Sequence, residues 1–327
     1  MKLFTRTSLK GCLVIFSALL VCFLIVNWHT DEPRYQGKRL SAWMDELTAE
    51  PKNISESESL VVEARQRESF TNVVRSIGTR ALPYYLDWIE NQPRGNSGYE
   101  KLTDWLEQIS HYRVRLPKQR DRAYEAVWAI QILGPSAKPA IVSLERLLKV
   151  DWTCGEAAPC LAAIGADSVP VLTNALVTST NTRTRYVAAR ALGDIGAVAK
   201  PAKFALLEAV QKEKSSSLQI STADLALRAL VEIDSTSDEL LPLLAKELSA
   251  TNAAAGAAYG LARLGAPGMP FLMPALTNQN ARIRASAEAA LELRKHLETK
   301  RQPASPAFDY FNVVYNSRLL RESISPP

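Results

Sequence analysis

The sequence predicts an all-α fold of stacked helix-turn-helix units forming a solenoid, preceded by one transmembrane helix. Three observations predict it: a phrase that recurs down the chain, a four-residue rule ahead of each recurrence, and one uncharged apolar run near the start. The phrase is an apolar residue, then Gly, then Pro five residues on. It reads Ile77-Gly78 to Pro83, Leu133-Gly134 to Pro139, Ile164-Gly165 to Pro170, Ile195-Gly196 to Pro201 and Leu264-Gly265 to Pro270. With Ile233-Asp234 admitted as a degenerate copy, the steps Gly134 to Gly165, Gly165 to Gly196 and Asp234 to Gly265 are each 31 residues. A period between about 20 and 50 residues marks stacked supersecondary units.

Residues 1–10 carry Lys2, Arg6 and Lys10 and no acid. Residues 11–28 are uncharged and almost wholly apolar. Eighteen residues rising about 1.5 Å each span roughly 27 Å, close to the hydrocarbon thickness of a bilayer. A cleaved signal peptide is the competing reading, but the run exceeds a usual signal core and no small-x-small site follows Val26. A lipoprotein box at Leu19-Leu-Val-Cys22 fails because Val21 is bulky and apolar residues continue past the cysteine. The expectation is an uncleaved anchor with Trp28 at the interface. Arg34, Lys38 and Arg39 follow the span, so the flanking charge is level. A ten-residue acid-free tail and a long following chain favour a cytoplasmic tail and a non-cytoplasmic, in a bacterium periplasmic, solenoid.

Residues 29–69 read as a juxtamembrane linker containing a helix in Tyr35 to Leu47, with Ser41 as its cap and Trp43 and Leu47 on one face. Residues 70–298 hold the repeats. Counting back eight, five, four and one residues from each turn residue gives Ala126, Ala129, Ile130, Leu133, then Ala157, Cys160, Leu161, Ile164, then Ala188, Ala191, Leu192, Ile195. Two further copies are Ala226, Ala229, Leu230, Ile233 and Ala257, Gly260, Leu261, Leu264. This spacing puts small, small, large, large on one helical stripe, so neighbours approach closely while Leu and Ile supply buried area. Gly suits the left-handed position after a helix, and Pro opens the next one. Second helices are expected at 140–148, 171–177, 202–210, 240–248 and 271–276.

These phrases, including Arg185-Tyr-Val-Ala-Ala-Arg-Ala-Leu-Gly-Asp-Ile-Gly196 and Gly165-Ala-Asp-Ser-Val-Pro-Val-Leu172, resemble the short HEAT-like repeats named after the phycobilisome lyases. The resemblance implies a right-handed α-solenoid of about seven units and says little about activity, since such repeats serve scaffolds, adaptors, regulators and a few enzymes. The likeness lies in packing positions, so lyase activity does not carry over. The helix in Tyr35 to Leu47 is similar to the juxtamembrane segment ahead of the repeats in bacterial HEAT-like membrane proteins.

Departures from the period matter. The step from Gly78 to Gly134 is 56 residues, which places an insertion at 91–122; that from Gly196 to Asp234 is 38, with a Lys- and Ser-rich loop at 212–217. Insertions in solenoids map to one face, often the binding face. In this insertion Tyr99, Leu102, Trp105, Leu106 and Ile109 form a helical stripe followed by Arg113, Arg115, Lys118 and Arg120. It reads either as a stripe packed on the solenoid or as a partner-binding patch. The last copy has Ala287, Ala290 and Leu291 in register, then Arg294 and Lys295 where Ile-Gly would stand, as a polar cap requires. Residues 299–327 are a non-repeat tail with Pro303, Pro306, Pro326 and Pro327.

The chain carries a net charge of +5, three of it on the leading tail, which leaves +2 for the rest. That is too little for a nucleic-acid footprint. Cys12 and Cys22 lie in the apolar run. Cys154 and Cys160 can bridge if a helix starts near Pro159, and cannot if one helix holds both. His29, His111 and His296 are far apart and fit no metal spacing. No phosphate loop, nucleophile elbow or nucleotide fingerprint occurs, and Asp45, Glu156, Glu208 and Asp238 are scattered carboxylates. The expectation is therefore no catalytic, cofactor-binding or metal residue, no small-molecule ligand, and a membrane-anchored scaffold or adaptor holding a protein partner. The alternatives are an accessory subunit or enzyme of the lyase kind and a purely structural envelope protein.

Overall fold

The computed structural model describes residues 32–47, 56–92, 119–212, 220–250 and 253–299. The apolar run at 11–28, the insertion through residue 118, most of the loop at 212–217 and the tail beyond Thr299 lie outside the described residues. Among the described residues no helix is long and apolar enough to cross a membrane. The chain divides into two compact units, Met1–Tyr84 and Tyr85–Pro327.

In the first unit, β1 (Arg34–Tyr35) and β2 (Lys38–Arg39) pair antiparallel, Arg34 opposite Arg39. Gln36 and Gly37 both take positive φ, the two-residue turn whose twist matches a hairpin. This hairpin is an addition ahead of the expected helix, which runs as α1 (Leu40–Leu47) and so opens one residue before the Ser41 expected to cap it. The expected cap is reversed. Ser41 is the helix's second residue, so its own N–H is an orphan donor, and it donates that N–H and its hydroxyl to the Glu32 carboxylate. Leu40 and Met44 form the buried pair of α1. Trp43 instead turns to the hairpin, donating to the Tyr35 carbonyl at 2.9 Å under the Lys38 ammonium. α2 (Glu56–Ile77) packs on α1 and buries Phe70, Val73, Val74 and Ile77, which stand at the four stripe positions ahead of Gly78 but put Phe and Val where the later copies have small residues.

The second unit is all-α. After α3 (Leu82–Glu90), which is divided between the units, come α4 (Gln119–Leu133), α5 (Ile141–Leu148), α6 (Cys154–Ile164), α7 (Val169–Thr178), α8 (Thr182–Ile195) and α9 (Lys203–Lys212). They continue as α10 (Thr222–Ile233), α11 (Leu240–Leu248), α12 (Ala254–Leu264), α13 (Met269–Ala275) and α14 (Ala281–Thr299). The first four residues of α4 fall inside the expected insertion.

Helices preceding a turn pack in series, α4 on α6, α6 on α8, α8 on α10, α10 on α12 and α12 on α14. The helices between them pack on the following member of that series: α5 on α6, α7 on α8, α9 on α10, α11 on α12 and α13 on α14. The stripe explains the order. All of its positions in the five copies are buried except Ile195 and Leu264, which are half-buried.

Every turn glycine has positive φ, between 54° at Gly134 and 85° at Gly165, and a short 3₁₀ turn carries the chain to the proline. Asp234 has a side chain and ends α10 differently, at φ −155° and ψ 72°. Lysines just before the turn prolines tie successive turns, Lys138 to Asp167 at 2.8 Å and Lys200 to Asp234 at 3.3 Å. Both pairs are solvent-exposed at the lysine and contribute little stability.

Two helices start alike. Asn181 and Asn280 accept from the N–H of Arg183 and Arg282, capping α8 and α14. Two residues on, Arg185 and Arg284 donate back to loop carbonyls, at Ser179 and Thr180 and at Asn278 and Gln279. The final helix runs through the position of the missing turn: Arg294 pairs with Glu298 at 2.7 Å in place of an Ile-Gly stop.

Candidate functional site

Aligning the units on their turn residues sets side chains of different helices in register. Ten residues before the turn stand Tyr124 in α4, Gly155 in α6, Tyr186 in α8 and Asp224 in α10. The first three line a groove of about 830 Å³. It exists because the middle helix is stripped: Gly155, Ala158 and Pro159 of α6 lie between the tyrosine-bearing α4 and α8. Val127 and Val187 add apolar wall, and Tyr124 is 58% exposed.

Pro159 is the sixth residue of α6, well past the first turn where proline is tolerated. It has no N–H to give the carbonyl of Gly155 the usual helical bond. The neighbouring Glu156 also lines the groove. Its Oε2 is buried and has no hydrogen-bond partner.

Two other charges of the groove, Arg190 and Asp194, lie side by side. Arg190 lies 3.9 Å from Asp194, and Asp194 accepts from Arg228 of α10 at 2.8 Å. Arg183 lies over α6, its Nη2 3.6 Å from where a Gly155 Cβ would stand, and the Cys154 thiol donates to the Asp151 carbonyl at 3.2 Å. Burial pushes the Cys154 thiol up, Arg183 pulls it back, and Glu156 adds to the rise. Burial, helped by Glu156, also raises Cys160.

The same register reads very differently one triad on. Asp224 is fully buried at the start of α10. It forms a capping box with Ser221, accepts from the N–H of Gly256 in α12 at 2.8 Å, and pairs with Arg282 of α14 at 2.7 Å. One carboxylate thus ties three successive helices. Burial raises its pKa above the ordinary carboxylate value, against the lowering pull of Arg282 and of the Ser221 and Gly256 N–H groups. The fit depends on Gly256, whose added Cβ would lie 2.2 Å from the Asp224 carbonyl oxygen. At the equivalent place, nine residues before the turn, the groove has Glu156.

Cys154 and Cys160 sit on one continuous helix, both free and buried, the second in the small core position of the stripe. The single helix is why the bridge does not form. Glu208 and Asp238 are exposed, as is Asp45 in the first unit, whereas Glu156 is half-buried. His296 is half-buried on α14, and His29 and His111 lie outside the described residues. So do Tyr99, Leu102, Trp105, Leu106, Ile109, Arg113, Arg115 and Lys118; only Arg120 of that patch falls in a described helix. Among the described residues no three His, Cys, Asp or Glu side chains gather where a metal could sit. A second, smaller cleft of about 490 Å³, lined by Val169, Thr173 and Val177 of α7 and by Pro201, is almost wholly apolar. Sequence reasoning missed the groove, whose signal was the Tyr, Gly, Tyr succession ten residues before the turns. A scan against protein-family models finds no match, and no curated protein matches the chain.

Proposed function

We propose that this protein is a membrane-anchored α-solenoid of HEAT-like repeats that acts as a non-catalytic adaptor, holding a protein partner along the helices that precede its turns. The anchor is the apolar run at 11–28, with the repeats on the non-cytoplasmic side. Support for the repeat architecture comes from the positive φ at each turn glycine and from the serial packing of α4, α6, α8, α10, α12 and α14. Such stacking lets side chains from successive units meet one extended ligand.

The observation that carries the adaptor reading is the groove across α4, α6 and α8. It is open, apolar at its floor and walled by tyrosines, which supply contact area at low entropic cost. Its polar groups are spread along three helices and do not converge on one reacting atom, as a nucleophile and its base would.

The test is mild crosslinking of the full-length protein in its native membrane, beside a Gly155→Trp variant that fills the groove. A partner captured by the wild type and lost in the variant supports the adaptor. Equal capture by both, or no stoichiometric partner from either, contradicts it and favours the structural reading.

A further inference from the structure

We propose that the hairpin of the first unit is a lipid-headgroup site, where Arg34 and Arg39 together grasp a phospholipid phosphate at the surface of the membrane that holds the anchor. This rests on the anchor reading above and deepens it. The two arginines are cross-strand partners, so their side chains share one face of the hairpin. Leu40 donates to the Pro33 carbonyl at 3.0 Å, one step further from the turn. Arg34 and Arg39 are therefore the non-hydrogen-bonded kind of pair, whose side chains stand closest, and like charges placed so repel. Among the described residues neither guanidinium has an ion pair to relieve this. Glu46 is paired with Lys38, and the Glu32 carboxylate is taken up by Ser41.

The other pair of the hairpin is accounted for by packing. Tyr35 and Lys38 meet Trp43 of α1, the two rings 6.0 Å apart and the ammonium 4.6 Å from the indole. Arg34 stays exposed and Arg39 partly so. Two neighbouring guanidiniums without a carboxylate suit the oxygens of a phosphate, which each can bond through two N–H groups. Lipid is the source because of where the hairpin stands in the chain. Glu32, held by Ser41, is four residues past Trp28, the end of the apolar run. Four residues reach at most about 14 Å, and the headgroup layer is itself about 5–8 Å deep on each side of a bilayer. An anchored chain thus keeps the arginine pair beside phosphates, whereas a soluble acidic ligand has no such tether.

The experiment reconstitutes the full-length protein in vesicles of phosphatidylcholine and phosphatidylglycerol carrying a trace of photoreactive lipid, then maps the lipid adducts by peptide. The reactive group is on the headgroup in one arm and on the acyl chain in the other. Wild type is expected to give headgroup adducts within residues 32–47. Arg34→Gln with Arg39→Gln should lower them about tenfold, the order expected for two basic side chains at an anionic surface. Arg34→Lys with Arg39→Lys should keep most of them, because the charge remains. Equal loss in both double variants would mark a packing role and overturn the proposal, as would adducts that neither variant changes. Displacement by millimolar inorganic phosphate would mark a site for a soluble anion and overturn it too. Acyl-chain adducts within residues 11–28 report the anchor separately. If they form while the hairpin stays unlabelled, the lipid site is wrong and the anchor stands; if they do not form, the anchor reading falls and this proposal with it.

Discussion

Arg282 of α14 reaches past α12 to pair with Asp224 of α10 at 2.7 Å, the arginine side chain only 16% exposed and the aspartate fully buried. Both charges are out of water, so their worth lies in being together. Removing either alone should destabilise the protein by about 3–5 kcal/mol, because the survivor is left charged and buried. Asp224→Ala and Arg282→Ala, singly and combined, measured by urea unfolding of the full-length protein, should show a coupling above about 1 kcal/mol. Additive losses would mean that the pair is only two separate packing contacts.

Gly256 and Gly155 make opposite predictions. An added methyl at Gly256 would stand 2.2 Å from the Asp224 carbonyl oxygen, so Gly256→Ala must push α10 and α12 apart at a cost of about 3 kcal/mol or more. At Gly155 the space is open, and Ala is the better helix former by about 1 kcal/mol. Gly155→Ala should therefore be neutral or stabilising. Equal losses from both would contradict the difference between the closed triad and the open groove.

Alkaline unfolding should report Tyr259. Burial, then the Glu232 carboxylate that its hydroxyl meets, push its pKa up to about 12. The folded value lies above the ordinary one of about 10, so this contribution is complete below about pH 10 and is lost as pH rises through about 12. Tyr259→Phe should flatten the stability profile over that window. An unchanged slope would place the alkaline loss elsewhere.

Cys154 and Cys160 should resist alkylation in the folded protein at neutral pH, since both are buried and burial raises both thiols. Iodoacetamide labelling followed by peptide mapping should find them unmodified until denaturant is added. Rapid labelling of Cys154 in the native protein would show that Arg183 outweighs burial there.

The parts legible from sequence are those fixed by local rules. Gly165 and Gly196 had to follow helices because few other residues accept their positive φ, and Ala157 with Leu161 had to face inward because of their spacing. The start of α6 was less legible. Pro159 suggests a beginning, yet the helix opens at Cys154 and tolerates the proline at the expense of one internal bond. Ser41 misled for a similar reason: its hydroxyl fits a cap, but Glu32, nine residues earlier, supplies the acceptor. The groove escaped notice because it depends on which residues three helices hold at one height. Tyr124, Gly155 and Tyr186 are unremarkable singly and 31 residues apart.

The most direct measurement of whether the groove is the working surface is position-specific photo-crosslinking in the native membrane. A photoreactive phenylalanine analogue would replace Tyr124 or Tyr186 in the groove, and Phe204 on α9, itself 83% exposed, as the control. The adaptor account predicts one common partner crosslinked from both groove positions and not from Phe204. Capture from Phe204 alone, or the same products from all three, would contradict it.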